Sequence, residues 1–99
     1  MKVIMIMKWD GVSLDQYEQV RNMVKWETDQ PQGGLFHVAT HDGNALRVTD
    51  IWDSADEFNH FVMTRLMPAT AALGIPGMPN VEMYPVYAIY NPNPASLVV

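Results

Sequence analysis

An α+β domain with the ferredoxin-like order strand, helix, strand, strand, helix, strand is predicted by three observations on the 99-residue chain. Asp42-Gly43 stands between alternating apolar runs, the strongest short-range hairpin signal. Two capping boxes, Ser13 with Gln16 and Ser54 with Glu57, each open a stretch whose apolar residues recur at helical spacing. Apolar runs from Val3 to Trp9 and from Asn80 to Tyr90 supply the first and last strands. The split βαβ pattern then gives one four-stranded antiparallel sheet with both helices on the same face.

Taken in order, Val3 to Trp9 is apolar without alternation, so both of its faces are expected to be covered, and Asp10-Gly11 ends it. Leu14, Tyr17, Val20 and Val24 mark the buried stripe of a first helix that is expected to run to about Glu27. Pro31 and Gly33-Gly34 break the chain before the hairpin. A two-residue Asp42-Gly43 turn with both residues at positive φ sets His41 opposite Asn44, His37 opposite Val48 and Leu35 opposite Asp50. Leu35, His37, Ala39, Leu46, Val48, Asp50 and Trp52 then share one face, and Phe36, Val38, Thr40, Ala45, Arg47, Thr49 and Ile51 the other. Phe58, Phe61, Val62 and Leu66 form the stripe of the second helix, which Pro68 interrupts; a further turn is expected up to Gly74. Pro85 lacks an amide proton, which argues for a sheet edge or a bulge over a central position for the last strand. Residues 1–90 make a single domain and 91–99 an extended tail, free unless its Ser-Leu-Val-Val end pairs with something.

Composition excludes several classes. Eleven acidic against six basic residues give a net charge of −5, which opposes binding to nucleic acid and to anionic lipid. Cysteine is absent, removing thiol nucleophiles and cysteine metal sites. The apolar start is too short for a signal sequence or a membrane span, so the expected location is cytoplasmic. No phosphate-binding glycine loop, serine nucleophile elbow or dinucleotide fingerprint occurs, so no cofactor is expected. His41 has no evident partner, His60 projects away from the helical stripe, and neither combines with His37 into a metal set. The sheet face opposite the helices carries Phe36, Val38 and Ile51 and is too apolar for open water; an isologous homodimer through that face is expected.

The layout resembles the dimeric α/β-barrel superfamily of antibiotic-biosynthesis monooxygenase-like proteins, haem-degrading monooxygenases and small polyketide cyclases. Val48-Thr-Asp-Ile-Trp52 leading into Asp53-Ser-Ala-Asp-Glu-Phe58 is similar to that superfamily's third strand and second helix. The His-Val-Ala second strand, Gly-Ile-Pro after the second helix and Tyr-Pro-Val last strand resemble a group of small uncharacterised bacterial members. The resemblance spans residues 1 to 90 and implies a homodimer with a pocket in each subunit between sheet and helices. Trp52 matches the aromatic residue that the oxygenases place near the pocket, and Asn59, at the edge of the second helical stripe, is the nearest residue to the Asn of their Asn, Trp and His grouping.

His37 and Asp50 on the hairpin's apolar face are the candidate catalytic pair: a carboxylate would fix the imidazole tautomer and raise its basicity. A self-satisfied buried polar pair is the competing account. Trp52, Phe58, Leu46 and Val48 are expected to form the wall of a hydrophobic small-molecule site, with Tyr17 directing its hydroxyl into it and Asn59 beside it; a Trp52 packed in the core and a Tyr17 with its tip in water are the competing accounts. Arg47 and Arg65 could meet an anionic ligand or pair with neighbouring acids. Two functions follow. One is a cofactor-independent oxygenase or cyclase acting on an aromatic or polyketide-like substrate; the other is a non-catalytic binding or structural module whose interior is filled by its eight methionines and its aromatic rings. Haem degradation is a weaker third, since the second helix offers only His60 as an axial ligand.

Overall fold

The computed structural model describes residues 1–97; the Val98-Val99 end of the tail lies outside the described residues. Four antiparallel strands, β1 (Val3–Asp10), β2 (Gly34–His41), β3 (Ala45–Trp52) and β4 (Asn80–Pro85), lie in the order β2-β3-β1-β4. Helix α1 (Leu14–Val24) follows β1, and α2 (Ala55–Phe61) follows β3. The βαββαβ order expected from the capping boxes and the hairpin is the order observed.

Core and open face follow from strand alternation. Met5, Met7 and Trp9 of β1 and Leu46, Val48 and Trp52 of β3 are buried against Val24, Phe58, Phe61 and Ala69 of the helical layer. The alternate β1 residues are not covered within the chain: Ile6 is 38% exposed, and Val38 of β2 is 49% exposed. One layer of helices covers one face only, which is why the expectation of a β1 covered on both sides fails for a single chain.

Helix α1 starts where the capping box places it. Ser13 accepts from the Gln16 amide, and the Gln16 side chain accepts in return from the Ser13 N–H. It stops at Val24, one turn before the expected end, because Lys25 adopts left-handed backbone at φ 55°. The Arg65 guanidinium then takes the carbonyls of Val24 and Asp29, so the chain turns and sends Trp26 inward. Arg65 also lies 5.6 Å from the Phe61 ring centroid, held by backbone oxygens and an aromatic face.

At the second helix Ser54 caps the Glu57 amide, but the reciprocal half of the box is altered: the Ser54 hydroxyl donates to the Glu57 carboxylate. Helix α2 does not stop before Pro68. It continues through a π-helical segment (Val62–Leu66) into α3 (Met67–Ala72), and the Met67 N–H reaches back to the Val62 carbonyl. The wider turn accommodates a proline that lacks an N–H and crowds the preceding turn. Gly74, at φ 68°, closes the run as expected.

The hairpin turn is four residues long, with His41 opposite Leu46 and His37 opposite Asp50. Only Gly43 takes positive φ, because the Asp42 carboxylate accepts from the amides of Asn44 and Ala45 and holds an open loop. The shift from the expected pairing is two residues, an even number, so every paired side chain keeps its face. Leu35 is the exception: a bulge between Gly34 and Phe36 moves it to the open face, where it lines a groove with Phe36 and Ile51.

Strand β4 is an edge strand and ends at Pro85, well short of Tyr90, because Pro85 pairs with Val3, where β1 begins. The tail is not extended throughout. Pro94–Leu97 forms a turn of 3-10 helix, and Ile89, Tyr90 and Leu97 lie along the groove over Leu35, Phe36 and Ile51. No helix among the described residues is long and apolar enough to cross a membrane.

Candidate active site

A run of hydrogen bonds crosses from the sheet to α1. The indole Nε1 of Trp52 donates to Asp50 Oδ2 at 3.0 Å, and His37 Nδ1 lies 2.7 Å from Asp50 Oδ1. The hydroxyl of Tyr17 lies 2.8 Å from His37 Nε2. Asp50 is 3% exposed, and both of its oxygens are engaged, as burial of a carboxylate requires. With Asp50 ionised, Nδ1 carries the proton and donates to it, leaving the Nε2 lone pair to accept from Tyr17.

Burial, the largest influence, raises the Tyr17 pKa above the ordinary phenol value. Arg21 works against this, while Glu27, Glu18 and Asp50 add to it. The phenol is therefore neutral at physiological pH. Glu27 sits on the turn after α1 and accepts from Arg21 Nε at 2.5 Å. Burial pushes its carboxyl up, but the Arg21 hydrogen bond and its other polar neighbours outweigh that, and the net shift is downward.

Behind His37 lies an apolar cavity of about 80 Å³ between sheet and helices, lined by Leu46, Val48, Phe58 and Phe61, with Met5, Met7 and Trp9 deeper in. Tyr17, Arg21, Trp26, Glu27, His37 and Asp50 bring most of its polar groups together at one end, and Thr70 of α3 is a further polar residue of the lining. Outside that end runs a larger groove of about 610 Å³ between α1 and the free edge of β2, and Tyr17, Arg21, Glu27 and His37 line both spaces.

The structure brings together most of the residues singled out in the sequence. His37, Asp50, Tyr17, Leu46, Val48 and Phe58 line the cavity. Trp52 does not: it is fully buried, packs edge-on against Phe58 at 5.5 Å between centroids, and holds Asp50. Asn59 stands apart, exposed beside a shallow groove with Met67, Met78 and Val81, because it falls off the stripe that faces His37. His41 has partners after all, with Nε2 2.7 Å from the Val12 carbonyl and Nδ1 accepting from the Gly43 amide. His60 is exposed, and Arg47 pairs with Asp42. Among the described residues no group of three His, Asp or Glu side chains is placed to hold a metal ion.

Trp26 is the site residue that periodicity misses. Its ring centroid lies 4.9 Å from that of His37, and it packs edge-on against Trp52 and Phe61. It follows Val24 by two positions and so falls off the α1 stripe; only the left-handed turn at Lys25 brings it in. The one sequence signal was the residue type, since a tryptophan is seldom left in water.

With element order, strand order and cavity fixed, the architecture matches known structures. The cofactor-independent oxygenase SnoaB from Streptomyces nogalater superposes with a TM-score of 0.67 at 13% identity, over 89% of this chain and 95% of that one. The chain shares the fold of that oxygenase. A provisionally named antibiotic biosynthesis monooxygenase from Deinococcus radiodurans gives 0.62 at 18% identity, covering 90% and 96% of the two chains. NE2512 from Nitrosomonas europaea, a protein of unknown function, gives 0.70 at 14% identity over 93% and 95%. No family model and no curated protein matches the sequence. One such fold hosts unrelated functions, so what this chain does has to be argued from its own site.

Proposed function

We propose that this chain is a cofactor-independent oxygenase or cyclase for a hydrophobic aromatic substrate, with the His37-Asp50 pair as its base. The observation that carries the reading is a carboxylate-fixed imidazole in the wall of an apolar cavity. Asp50 stabilises the imidazolium formed when His37 gains a proton, as a general base requires. Loss of that proton from a phenol or an activated carbon leaves an electron-rich anion, which either attacks an electrophilic carbon of the same molecule to close a ring or gives an electron to the co-substrate dioxygen and then combines with it. Trp26 and Phe58 supply ring-shaped walls, and low polarity favours reactions of the desolvated anion.

Size limits what enters. A cavity of about 80 Å³ is roughly half the 150 Å³ that holds a benzene in an engineered protein cavity. A polycyclic substrate therefore places one edge against His37 and the remainder in the outer groove. Apolar exposure at Ile6 and Val38 supports the second part of the proposal, a homodimer whose subunits cover each other's open sheet faces.

The test is oxygen uptake and product analysis over a panel of phenolic polycyclic aromatics, comparing the wild type with His37→Ala. Removal of a general base lowers turnover by about 10²–10⁴-fold. Equal uptake by the two proteins refutes the assignment. A second reading, a non-catalytic binding module, is favoured by one observation: both His37 nitrogens are already engaged inside the protein. Binding of the same aromatics without consumption of oxygen or substrate is its signature.

A further inference from the structure

We infer that Tyr17, and not His37, is the group that exchanges a proton with the bound ligand. The inference rests on the reading of His37-Asp50 as a base and assigns the atom through which that base acts. His37 has no free lone pair: Nδ1 is turned to Asp50 at 2.7 Å, and Nε2 accepts from the Tyr17 hydroxyl at 2.8 Å. Its ring is flanked by Trp26 at 4.9 Å and lies parallel to the Tyr17 ring, 3° apart in plane. A ligand aimed at Nε2 of the imidazole finds the Tyr17 hydroxyl already bonded there.

The phenolic oxygen is placed for the task. Its only hydrogen bond among the described residues is the one it donates to His37, so its acceptor lone pairs remain unused. Tyr17 also lines both the inner cavity and the outer groove, so a ligand reaching from one space into the other passes its oxygen. In the step the ligand proton bonds to the Tyr17 oxygen while the Tyr17 hydroxyl proton moves to His37 Nε2. The bond from ligand to hydrogen breaks, and its electron pair stays on the ligand. The products are the ligand anion, a neutral Tyr17 and an imidazolium held by ionised Asp50, so charge balances and no external oxidant is consumed.

A carbon-acid probe tests this without the natural substrate. A nitrobenzisoxazole loses its ring C–H proton to a base, its N–O bond breaks, and a coloured cyanonitrophenolate is released. Rates are measured for the wild type, Tyr17→Phe and His37→Ala, in water and in deuterium oxide, with circular dichroism confirming that each variant is folded. The relay predicts that Tyr17→Phe falls by about 10²-fold or more, to the level of His37→Ala. It also predicts that the wild type slows in deuterium oxide, because the exchangeable Tyr17 hydroxyl proton moves in the same step as the non-exchangeable C–H proton. If Tyr17→Phe matches or exceeds the wild type, with no solvent isotope effect, His37 is the direct base and the relay is overturned, while the base assignment stands. A wild type no faster than His37→Ala overturns both. The wild-type isotope effect alone decides the matter if Tyr17→Phe does not fold.

Discussion

Replacing Asp50 by Asn probes the polar chain with almost no change of shape, and its outcome follows from donor and acceptor counting. Asp50 receives one hydrogen bond from Trp52 Nε1 and one from His37 Nδ1. An indole nitrogen can only donate, so the Asn oxygen must turn to Trp52 and its NH₂ must turn to His37. The imidazole then has to accept at Nδ1, which moves its proton to Nε2 and reverses the bond to Tyr17. Two hydrogen bonds to a buried charge, worth about 1.5–3 kcal/mol each, are replaced by neutral ones of about 0.5–1.5 kcal/mol. Relief of burying the carboxylate offsets part of this. The expected net loss is about 1–3 kcal/mol, and each kcal/mol lowers the melting midpoint of a domain this size by about 4–8 °C. Urea unfolding measures the stability, and nitrogen NMR of the imidazole measures the tautomer in the same sample. If Asp50→Asn retains a protonated Nδ1 and unfolds at the wild-type urea midpoint, the reasoning is wrong.

Two further predictions concern the acid limb and the open face. The Arg47 guanidinium and two loop amides hold the Asp42 carboxyl well below the ordinary carboxylate range. A depressed folded pKa contributes stability that is present above the unfolded value, near about 3.9, and is lost as pH falls through the folded one. Unfolding midpoints measured across that range should therefore decline less steeply with acid for Asp42→Asn than for the wild type, and parallel declines would exclude the contribution. A glutamate at Val38 puts a charge on the exposed sheet face, so light scattering should show a dimeric wild type and a monomeric Val38→Glu of unchanged circular dichroism. A monomeric wild type would remove the proposed interface.

Much of the fold was legible because it depends on patterns that chain-local physics enforces. Ser13 and Ser54 cap helices wherever such residues precede an apolar stripe, and the alternation of β2 and β3 fixes which residues share a face. That alternation was enough to put His37 and Asp50 together even though the turn is longer than expected. The turn length itself was illegible, since Asp42 chooses between a tight reversal and capping the Asn44 and Ala45 amides. Leu35 was misplaced by a bulge that no residue type announces, and Trp26 went unmarked because its place depends on a helix end set by Arg65, distant in the sequence. Trp52 was expected at a ligand and is found beneath the cavity wall, holding Asp50 through its N–H. Aromatic character alone does not say which end of an indole matters.

Trp52 also sets a direction. Its N–H cannot receive a proton, and it closes the inner end of the chain that starts at the Tyr17 oxygen. On the proposed relay the chain is thus a cul-de-sac: a proton that enters from the groove has to leave by the same door, and none drains through the sheet to its far side. On the proposed role of His37, recharging the base between turnovers is consequently governed by the water that wets one doorway.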